Sequence, residues 1–277
     1  MNLIKLILAG VFALLFSGLV AQENPLWLRY PSISPDGQTI AFCYKGDIFL
    51  VSSKGGKATQ LTTHPGYDSR PVWSPDGKTI AFTSQRNNAM DLFTIPVGGG
   101  TPRQLTTFSG SATPECFTPD GKSILFRSSL MPDQNYGQYP SNPQIYKIST
   151  EGGRPELFLT FDAYNIHFNK AGNKIYYHDK KGYEDEWRKH HTSSVCRDIW
   201  EHDLSNGTFT NLTDKQVEDR YPVLSADEST IYFLSERFGD FNVCRMALGN
   251  RADIKQLTRF SKHPVRFLSR SKDDLLC

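Results

Sequence analysis

The densest group of possible metal ligands in the sequence lies in one stretch of its second half. It consists of His190, His191, Cys196 and His202. Structural zinc sites usually pair two ligands separated by about two to four residues, and do so twice. The present spacing does not match that rule. We therefore expect His202 to face solvent or an adjacent unit of the fold, and we predict neither a metal ion nor another cofactor.

Residues suited to covalent catalysis are plentiful but form no known catalytic motif. The sequence contains no Gly-x-Ser-x-Gly, His-Glu-x-x-His, P-loop or Gly-x-Gly-x-x-Gly pattern. Three aspartates, Asp36, Asp76 and Asp120, recur regularly and resemble a ring of carboxylates. Each stands in a Ser/Thr-Pro-Asp-Gly turn, where an Asp side chain accepts backbone N–H groups. We assign no catalytic residue.

These turns belong to an internal repeat. Residues 32–42 match residues 72–82 almost one for one, and residues 116–126 are a third copy. More divergent copies begin at Phe168 and Leu224, and a sixth begins at Leu268. Measured at the proline position (35, 75, 119, 170, 226 and 270), the steps are 40, 44, 51, 56 and 44 residues. A period near this length with short strands is typical of propeller blades.

Each repeat contains four strand-like runs. The turn separates strands a and b, a further β-rich run gives strand c, and a Gly-rich turn leads to a short strand d that ends in Leu-Thr, as at Leu61-Thr62. The sequence therefore predicts an all-β fold, a six-bladed-type β-propeller that is incomplete. Five complete four-stranded blades are expected at about residues 29–62, 70–106, 113–159, 164–213 and 220–258, with half of a sixth after them. A closed five-bladed ring with a loose tail is the structural alternative.

The N-terminus is typical of a secretory signal. Lys5 precedes an apolar run, residues 6–21, that is too short to span a bilayer comfortably and ends at Gln22. We expect residues 1–21 to be a signal peptide and residues 22–277 to be a propeller without a membrane span, working in the periplasm or outside the cell. A retained anchor is the alternative.

Charge and cysteine content narrow the class of protein further. The 31 Lys and Arg residues nearly balance the 29 Asp and Glu residues, a net charge of +2, which argues against a nucleic-acid-coating protein. The five cysteines show no CxxC pair, and Cys43, Cys116 and Cys244 lie in apolar strand-like runs. We expect these three to act as small buried hydrophobic residues.

The Pro-Asp-Gly-Lys-x-Ile-x-Phe units with Leu-Thr endings resemble the propeller repeats of TolB and of tricorn-type proteases. The segment from Glu184 to Trp200 resembles the insertion in the fourth blade of the N-terminal propeller of bacterial tricorn protease homologues. The resemblance implies a longer parent protein, with a second propeller, a PDZ domain and a serine-peptidase core that cleaves peptides by acyl transfer. This chain would then be its non-catalytic part. Its partners would be a peptide or protein substrate, the parent's C-terminal domains, and in addition a second copy in a homo-oligomer.

Two long insertions between strands b and c are candidate binding surfaces. They are residues 127–143 and 179–197, and both should project from the face opposite the Pro-Asp-Gly turns. They contain residue types enriched at interfaces, namely Tyr136, Tyr139 and Trp187. The resemblance implies basic residues that hold the C-terminal carboxylate of a peptide, and Arg188 and Lys189 are our candidates. A solvated charged loop packed on another domain is an equal alternative.

Two other functions remain open. The first is a stand-alone TolB-like periplasmic propeller that binds a protein partner. The second is the propeller of a prolyl-oligopeptidase-type enzyme, against which the segment 188–194 argues mildly. Relatives of the tricorn type also make a cytoplasmic location an alternative to export.

Overall fold

A computed structural model describes residues 27–108, 110–129, 143–181, 195–213 and 217–277. In these ranges the chain forms five four-stranded antiparallel sheets and no helix. Accordingly, no helix long and apolar enough to cross a membrane occurs in these ranges. The sequence prediction of an all-β propeller with five four-stranded blades is confirmed.

The strands follow the predicted repeats closely. Blade one contains β1 (Arg29–Ile33), β2 (Thr39–Tyr44), β3 (Asp47–Ser52) and β4 (Thr59–Gln60). Blade two contains β5 (Asp68–Trp73), β6 (Thr79–Ser84), β7 (Asp91–Pro96) and β8 (Arg103–Gln104). Blade three contains β9 (Thr113–Phe117), β10 (Ser123–Ser128), β11 (Gln144–Ser149) and β12 (Glu156–Leu159). Blade four contains β13 (Tyr164–Phe168), β14 (Lys174–His178), β15 (Ile199–Asp203) and β16 (Thr208–Asn211). Blade five contains β17 (Asp219–Leu224), β18 (Thr230–Ser235), β19 (Asn242–Ala247) and β20 (Asn250–Gln256).

The apolar core is divided among the blade interfaces. Along β6, Ile80 and Phe82 pack with blade-one residues, whereas Ala81 between them packs with blade-three residues. Successive side chains of a strand point to opposite faces, so a strand covered on both sides must be apolar at every position. This explains the continuous apolar runs in strands b and c. The equivalent of Phe82 in blade one, Phe42, is only half-buried, while Phe82, Phe126 and Phe233 are fully buried.

In blades one and two, the Leu-Thr ending closes the blade by a polar contact. In blade two, the Thr106 hydroxyl accepts the backbone N–H of Leu92 at 2.9 Å and donates to Asp91 Oδ1 at 2.8 Å. Thr62 makes the same two contacts in blade one, with Ile48 and Asp47. A short outer strand is therefore fixed to strand c by one threonine and one carboxylate, which satisfies a buried donor.

On one face of the molecule the a–b turns touch one another around a ring. A Cβ placed on Gly77 would lie 3.6 Å from Cδ of Pro35 in the preceding turn, and Gly121 and Gly172 meet Pro75 and Pro119 in the same way. In later turns carboxylates take the place of glycine: Glu228 accepts the N–H of Lys170, and Asp274 accepts the N–H of Ala226. The Lys272 N–H donates to the Pro35 carbonyl at 2.8 Å and closes the ring.

Residues 264–277 lie between blade five and blade one. Leu268 packs in the apolar cluster of blade five, and the Ile33 N–H of blade one donates to the Ser269 hydroxyl at 3.1 Å. A single antiparallel bridge joins Arg270 to Leu276.

The turn in this segment lies two residues later than the repeat predicts. Asp274 has a φ of 59°, and its N–H donates to the Ser271 carbonyl. Gly37 in the first turn is equivalent: its φ is 71°, and its N–H donates to the Ser34 carbonyl. Lys272, and not Arg270, therefore occupies the proline position, and the predicted register of the sixth copy was wrong by two residues. Both Ser269 and Ser271 could be matched to the serine of the earlier turns. The Ser271 N–H donates to the Leu275 carbonyl, four residues later, whereas the Ser34 N–H donates to the Thr39 carbonyl, five residues later, so this copy is one residue shorter before its second strand.

Candidate functional site

The residues proposed as a carboxylate anchor, Arg188 and Lys189, lie outside the described residues, as do Tyr136, Tyr139 and Trp187. The strands that carry the two insertions are described. β10 ends at Ser128 and β14 ends at His178, and both are followed by strand c of the same blade. Because the strands are antiparallel, both insertions leave from the end of the molecule opposite the a–b turns.

The possible metal ligands are only partly described, because His190 and His191 lie outside the described residues. Cys196 and His202 are buried in blade four. The imidazole of His202 stacks on Phe209 with ring centroids 3.9 Å apart, and Nδ1 lies 3.2 Å from the Thr208 carbonyl. Thus His202 packs within its own blade. The described ranges contain no group of three or more His, Cys, Asp or Glu residues suited to a metal ion.

The three recurring aspartates have the local role expected of them. Asp36 accepts the backbone N–H of Gln38 at 3.0 Å, and Asp76 accepts that of Lys78 at 3.1 Å. Hydrogen bonds from the Ser34 hydroxyl and the Gln38 N–H lower the pKa of Asp36 below its usual value. These carboxylates hold turns together.

A cavity of about 1050 Å³ forms the central channel of the described chain. Its wall is formed by the first strand of every blade together with residues 266–272. A propeller necessarily surrounds such a channel, since its blades are arranged radially. A cavity of this size exceeds a typical small-molecule pocket, which ranges over about 300–1,000 Å³. It therefore has room for a short extended peptide.

β-Bulges in the inner strands aim side chains into the channel. The pairing of β1 with β2, β5 with β6, β13 with β14 and β17 with β18 shifts register near the start of the inner strand. Within these bulges Tyr30, Arg70, Asn165 and Tyr221 have φ between 52° and 56°. Non-glycine residues seldom adopt this left-handed conformation, and such strain is concentrated at functional sites. All four residues line the channel.

A sequence signal for these positions exists but was not recognised. Tyr30, Arg70 and Tyr221 each stand immediately before a proline and four residues before the serine of the a–b turn. Asn165 occupies the same position in blade four without the proline, and Phe267 occupies it relative to Ser271. The repeat therefore marks one channel-lining residue in each of these five copies.

Aromatic rings connect these positions across the blades. The Arg70 guanidinium carbon lies 4.6 Å from the ring centroid of Tyr30. The Tyr30 ring meets Phe267 edge-on at a centroid distance of 5.1 Å, and Phe267 meets Tyr221 at 5.9 Å. Stacked and edge-on ring pairs at such distances are attractive beyond their buried area.

The contacts continue to the far side of the channel. The rings of Tyr221 and His178 have centroids 6.0 Å apart, and those of His178 and Tyr164 are 5.6 Å apart. The Arg127 guanidinium carbon lies 4.0 Å from the centroid of Tyr164. We call this continuous series the aromatic belt; its members are Arg70, Tyr30, Phe267, Tyr221, His178, Tyr164 and Arg127. It joins all five blades and residues 264–277, and its two ends are guanidinium groups.

The aromatic belt lies at the end of the channel from which the insertions depart. Arg70 and Tyr221 stand near the start of their inner strands, whereas Arg127 and His178 stand at the end of strand b. Inner strands run towards the a–b turns and strands b run away from them. All four positions are therefore remote from the a–b turns.

Positive charge is concentrated on the channel wall. The described lining residues include seven arginines and two lysines but only two glutamates, Glu115 and Glu228. The chain as a whole has a net charge of only +2. A cleft lined by one sign of charge attracts ligands of the opposite sign, because its low-dielectric walls focus the field.

Carboxylates neutralise only some of these arginines. Glu115 pairs with Arg127 and also accepts the backbone N–H of Asn165. A single carboxylate, Glu218, is shared between Arg197 at 3.1 Å and Arg220 at 2.6 Å. Arg70 forms no ion pair with any carboxylate of the described ranges and contacts the Tyr30 ring instead.

His178 is held neutral within the aromatic belt. Burial, followed by the charges of Arg197, Arg220 and Arg127, lowers its pKa well below the usual value. Its Nδ1 accepts the Tyr221 backbone N–H at 3.3 Å, so the neutral ring carries its proton on Nε2. His178 therefore contributes a ring face and not a further charge.

Comparison with known proteins agrees with this architecture. The model of the family described as "Tricorn protease N-terminal beta propeller domain" matches residues 25–276. The chain is 32% identical over 72 residues to "Tricorn protease homolog 1" of Streptomyces coelicolor, 26% of this chain and 7% of that protein. It is 43% identical over 58 residues to "Uncharacterized peptidase YuxL" of Bacillus subtilis, 19% of this chain and 9% of that protein. The chain thus matches less than a tenth of the length of either relative.

Solved structures share the fold. The crystal structure of the tricorn protease superposes with a TM-score of 0.73 at 21% identity, over 90% of this chain and 24% of that one. The structure of a putative TolB from Agrobacterium tumefaciens superposes with a TM-score of 0.64 at 19% identity, over 84% of this chain and 80% of that one.

Proposed function

Because this chain belongs to the family of tricorn protease N-terminal β-propeller domains, we propose that it is the non-catalytic propeller segment of an exported tricorn-like serine protease. In this role it shapes the access of substrate peptides and contributes contacts for domain assembly. The observation that carries the proposal is the channel. It is large enough for a short peptide, and its wall combines aromatic rings with guanidinium groups, which are the residue types enriched where proteins bind peptides and proteins.

We further propose that residues 264–277 are strands a and b of a sixth blade. Two observations support this. The turn at Ser271 joins the ring of a–b turns through the Lys272 N–H and the Asp274 carboxylate. The face of blade one that points away from blade two, which includes Phe42, is less covered than the equivalent faces of other blades. Strands c and d of a sixth blade would cover it.

Two parts of the proposal rest on the sequence alone. Arg188 and Lys189, in the insertion of blade four, are proposed to hold the C-terminal carboxylate of a peptide. Residues 1–21 are proposed to be a signal peptide that directs the protein to the periplasm or outside the cell. The basic, apolar and polar order of this segment supports export.

The access role can be tested by narrowing the channel. Asn165→Tyr places in blade four the residue that the fold already accepts at the equivalent Tyr30 and Tyr221, with a similar φ. Binding of fluorescein-labelled peptides of mixed sequence, measured by fluorescence anisotropy, should weaken severalfold. Asn88→Tyr is the matched control, because Asn88 also has a positive φ of 64° but lies on an exposed turn outside the channel.

Failure of all such peptides to bind the wild-type chain would contradict the access role. Equal binding by the Asn165→Tyr variant would place the peptide elsewhere and contradict it as well. In either case the second candidate, a TolB-like propeller that binds a folded protein partner on its loop faces, would gain support.

A further inference from the structure

The carboxylates that the structure describes pair with several guanidinium groups of the channel wall but leave Arg70 without an ion pair. Glu115 serves Arg127, and Glu218 is divided between Arg197 and Arg220. Asp274 pairs with Arg270 at 3.1 Å. Arg70 remains without a carboxylate of the described ranges and is half-buried against Tyr30.

Stacking leaves the polar edge of Arg70 available to a ligand. A guanidinium that lies over an aromatic ring uses its face for that contact, while its N–H groups lie in its plane. Those N–H groups match the two oxygens of a carboxylate. The ring also orients the side chain in advance, so less conformational entropy is lost when a ligand binds.

The other members of the aromatic belt suit a peptide chain. Tyr30, Phe267 and Tyr221 are carried by three different segments and form a continuous apolar strip. Neutral His178 and Tyr164 extend it towards Arg127. A peptide with acidic side chains would contact rings along its length and the guanidinium group of Arg70 at one end of the aromatic belt.

We infer that the channel of this propeller selects acidic peptides, and that Arg70 on Tyr30 is a principal receptor of their side-chain carboxylates. This inference rests on the proposed function, since it names the class of peptide that the channel admits. It differs from the proposed anchor at Arg188 and Lys189, because it concerns side chains within the channel and not the terminal carboxylate.

The decisive measurement compares two peptides of equal length on the full 277-residue chain. One labelled octapeptide contains four glutamates, and the other has glutamines at the same positions; both carry amidated C-termini. At low ionic strength the acidic peptide should bind about tenfold more tightly, as expected for charge-assisted hydrogen bonds in place of neutral ones. The preference should fall as salt is added, because screening weakens exposed charges.

Arg70→Asn tests the assigned residue without disturbing the backbone. Asn165 occupies the equivalent position of blade four with a φ of 53°, close to the 56° of Arg70. The variant should lose most of the preference for the acidic peptide and keep the affinity for the glutamine peptide within about twofold. Arg154→Asn removes the same charge from an exposed turn outside the channel and should leave the preference unchanged.

The possible outcomes separate the two proposals. If neither peptide binds the wild-type chain, the proposed function itself fails. If both peptides bind equally at low salt, or if Arg154→Asn reduces the preference as much as Arg70→Asn, the selection for acidic peptides is refuted while the access role stands. If a short single-stranded oligonucleotide of equal charge displaces the acidic peptide at equal concentration, the channel recognises charge alone, and the assignment to peptides is overturned.

Discussion

The side chain of Glu228, in the a–b turn of blade five, accepts a hydrogen bond from the backbone N–H of Lys170 in the same turn of blade four. In the first three repeats the position of Lys170 is occupied by proline, which has no N–H group, and the facing position is glycine. In blades four and five the proline is replaced by Lys170 and Ala226, and the facing residues are Glu228 and Asp274. Wherever the residue at the proline position of blades four and five has a backbone N–H group, the facing turn therefore supplies a carboxylate that accepts it.

This pairing predicts energetic coupling between Lys170 and Glu228. Lys170→Pro removes the donor and Glu228→Gly removes the acceptor, so each single change loses the same hydrogen bond. The double variant restores the Pro–Gly contact of the other turns. In a double-mutant cycle of urea unfolding, we expect the two changes together to cost about 1 kcal/mol less than their sum. Combining Lys170→Pro with Asp274→Gly, which faces a different turn, should be additive; additivity of the first pair would contradict the assignment.

The contribution of His178 to the stability of the fold should decrease as the pH falls below about 6.5, because His178 is buried and neutral. Its folded pKa lies well below the unfolded value, so the unfolded chain binds a proton that the folded chain does not. The stabilisation is complete above the unfolded pKa of about 6.5 and is lost as the pH decreases towards the folded pKa. His178→Asn keeps an acceptor for the Tyr221 N–H but does not titrate.

The measurement is the free energy of unfolding in urea between about pH 6.5 and pH 4.5. The slope of the unfolding free energy against pH should decrease by up to about 1.4 kcal/mol per pH unit in His178→Asn. His64→Asn is the control, because exposed His64 also accepts a backbone N–H through Nδ1, from Gly66 at 2.9 Å. An unchanged pH dependence in His178→Asn would show that this residue is not the proton-linked group.

Phe42 and Phe82 occupy equivalent positions in blades one and two but differ in burial. Phe82→Ala removes a side chain that is fully enclosed between blades, and we expect a cost of about 3–5 kcal/mol. Phe42→Ala should cost about half of this or less, because its face is partly open to solvent. Urea midpoints of the two variants of the 277-residue chain provide the comparison. Equal costs would mean that the face of blade one is covered as completely as the others.

The proposed non-catalytic role predicts that the 277-residue chain does not hydrolyse peptides by itself. The histidines of the described strands that line the channel, His167 and His178, are desolvated, and their pKa values are lowered. We expect short fluorogenic peptides to remain intact during prolonged incubation with the purified chain. Hydrolysis that a serine-directed inhibitor abolishes would overturn this expectation.

The sequence by itself determined the repeating features of this protein. The Pro-Asp-Gly turns, the apolar runs and the Leu-Thr endings act within one blade, through contacts between residues close in the chain such as Asp91 and Thr106. Local physical chemistry is therefore sufficient to predict five blades, their boundaries and the local role of Asp36. The register of the last turn was missed, since Ser269 and Ser271 are equivalent until the hydrogen bonds around them are known.

Only the tertiary structure determines which side chains line the channel. The members of the aromatic belt come from six strands and from residues 264–277, and Arg70 and Arg127 meet the same channel although 57 positions separate them in the sequence. A bulge in each inner strand, and not the strand period, sets which side chain faces the channel, because one extra residue reverses the alternation of faces. The contact of Glu228 with Lys170 likewise depends on how adjacent blades are placed around the axis, which no local pattern specifies.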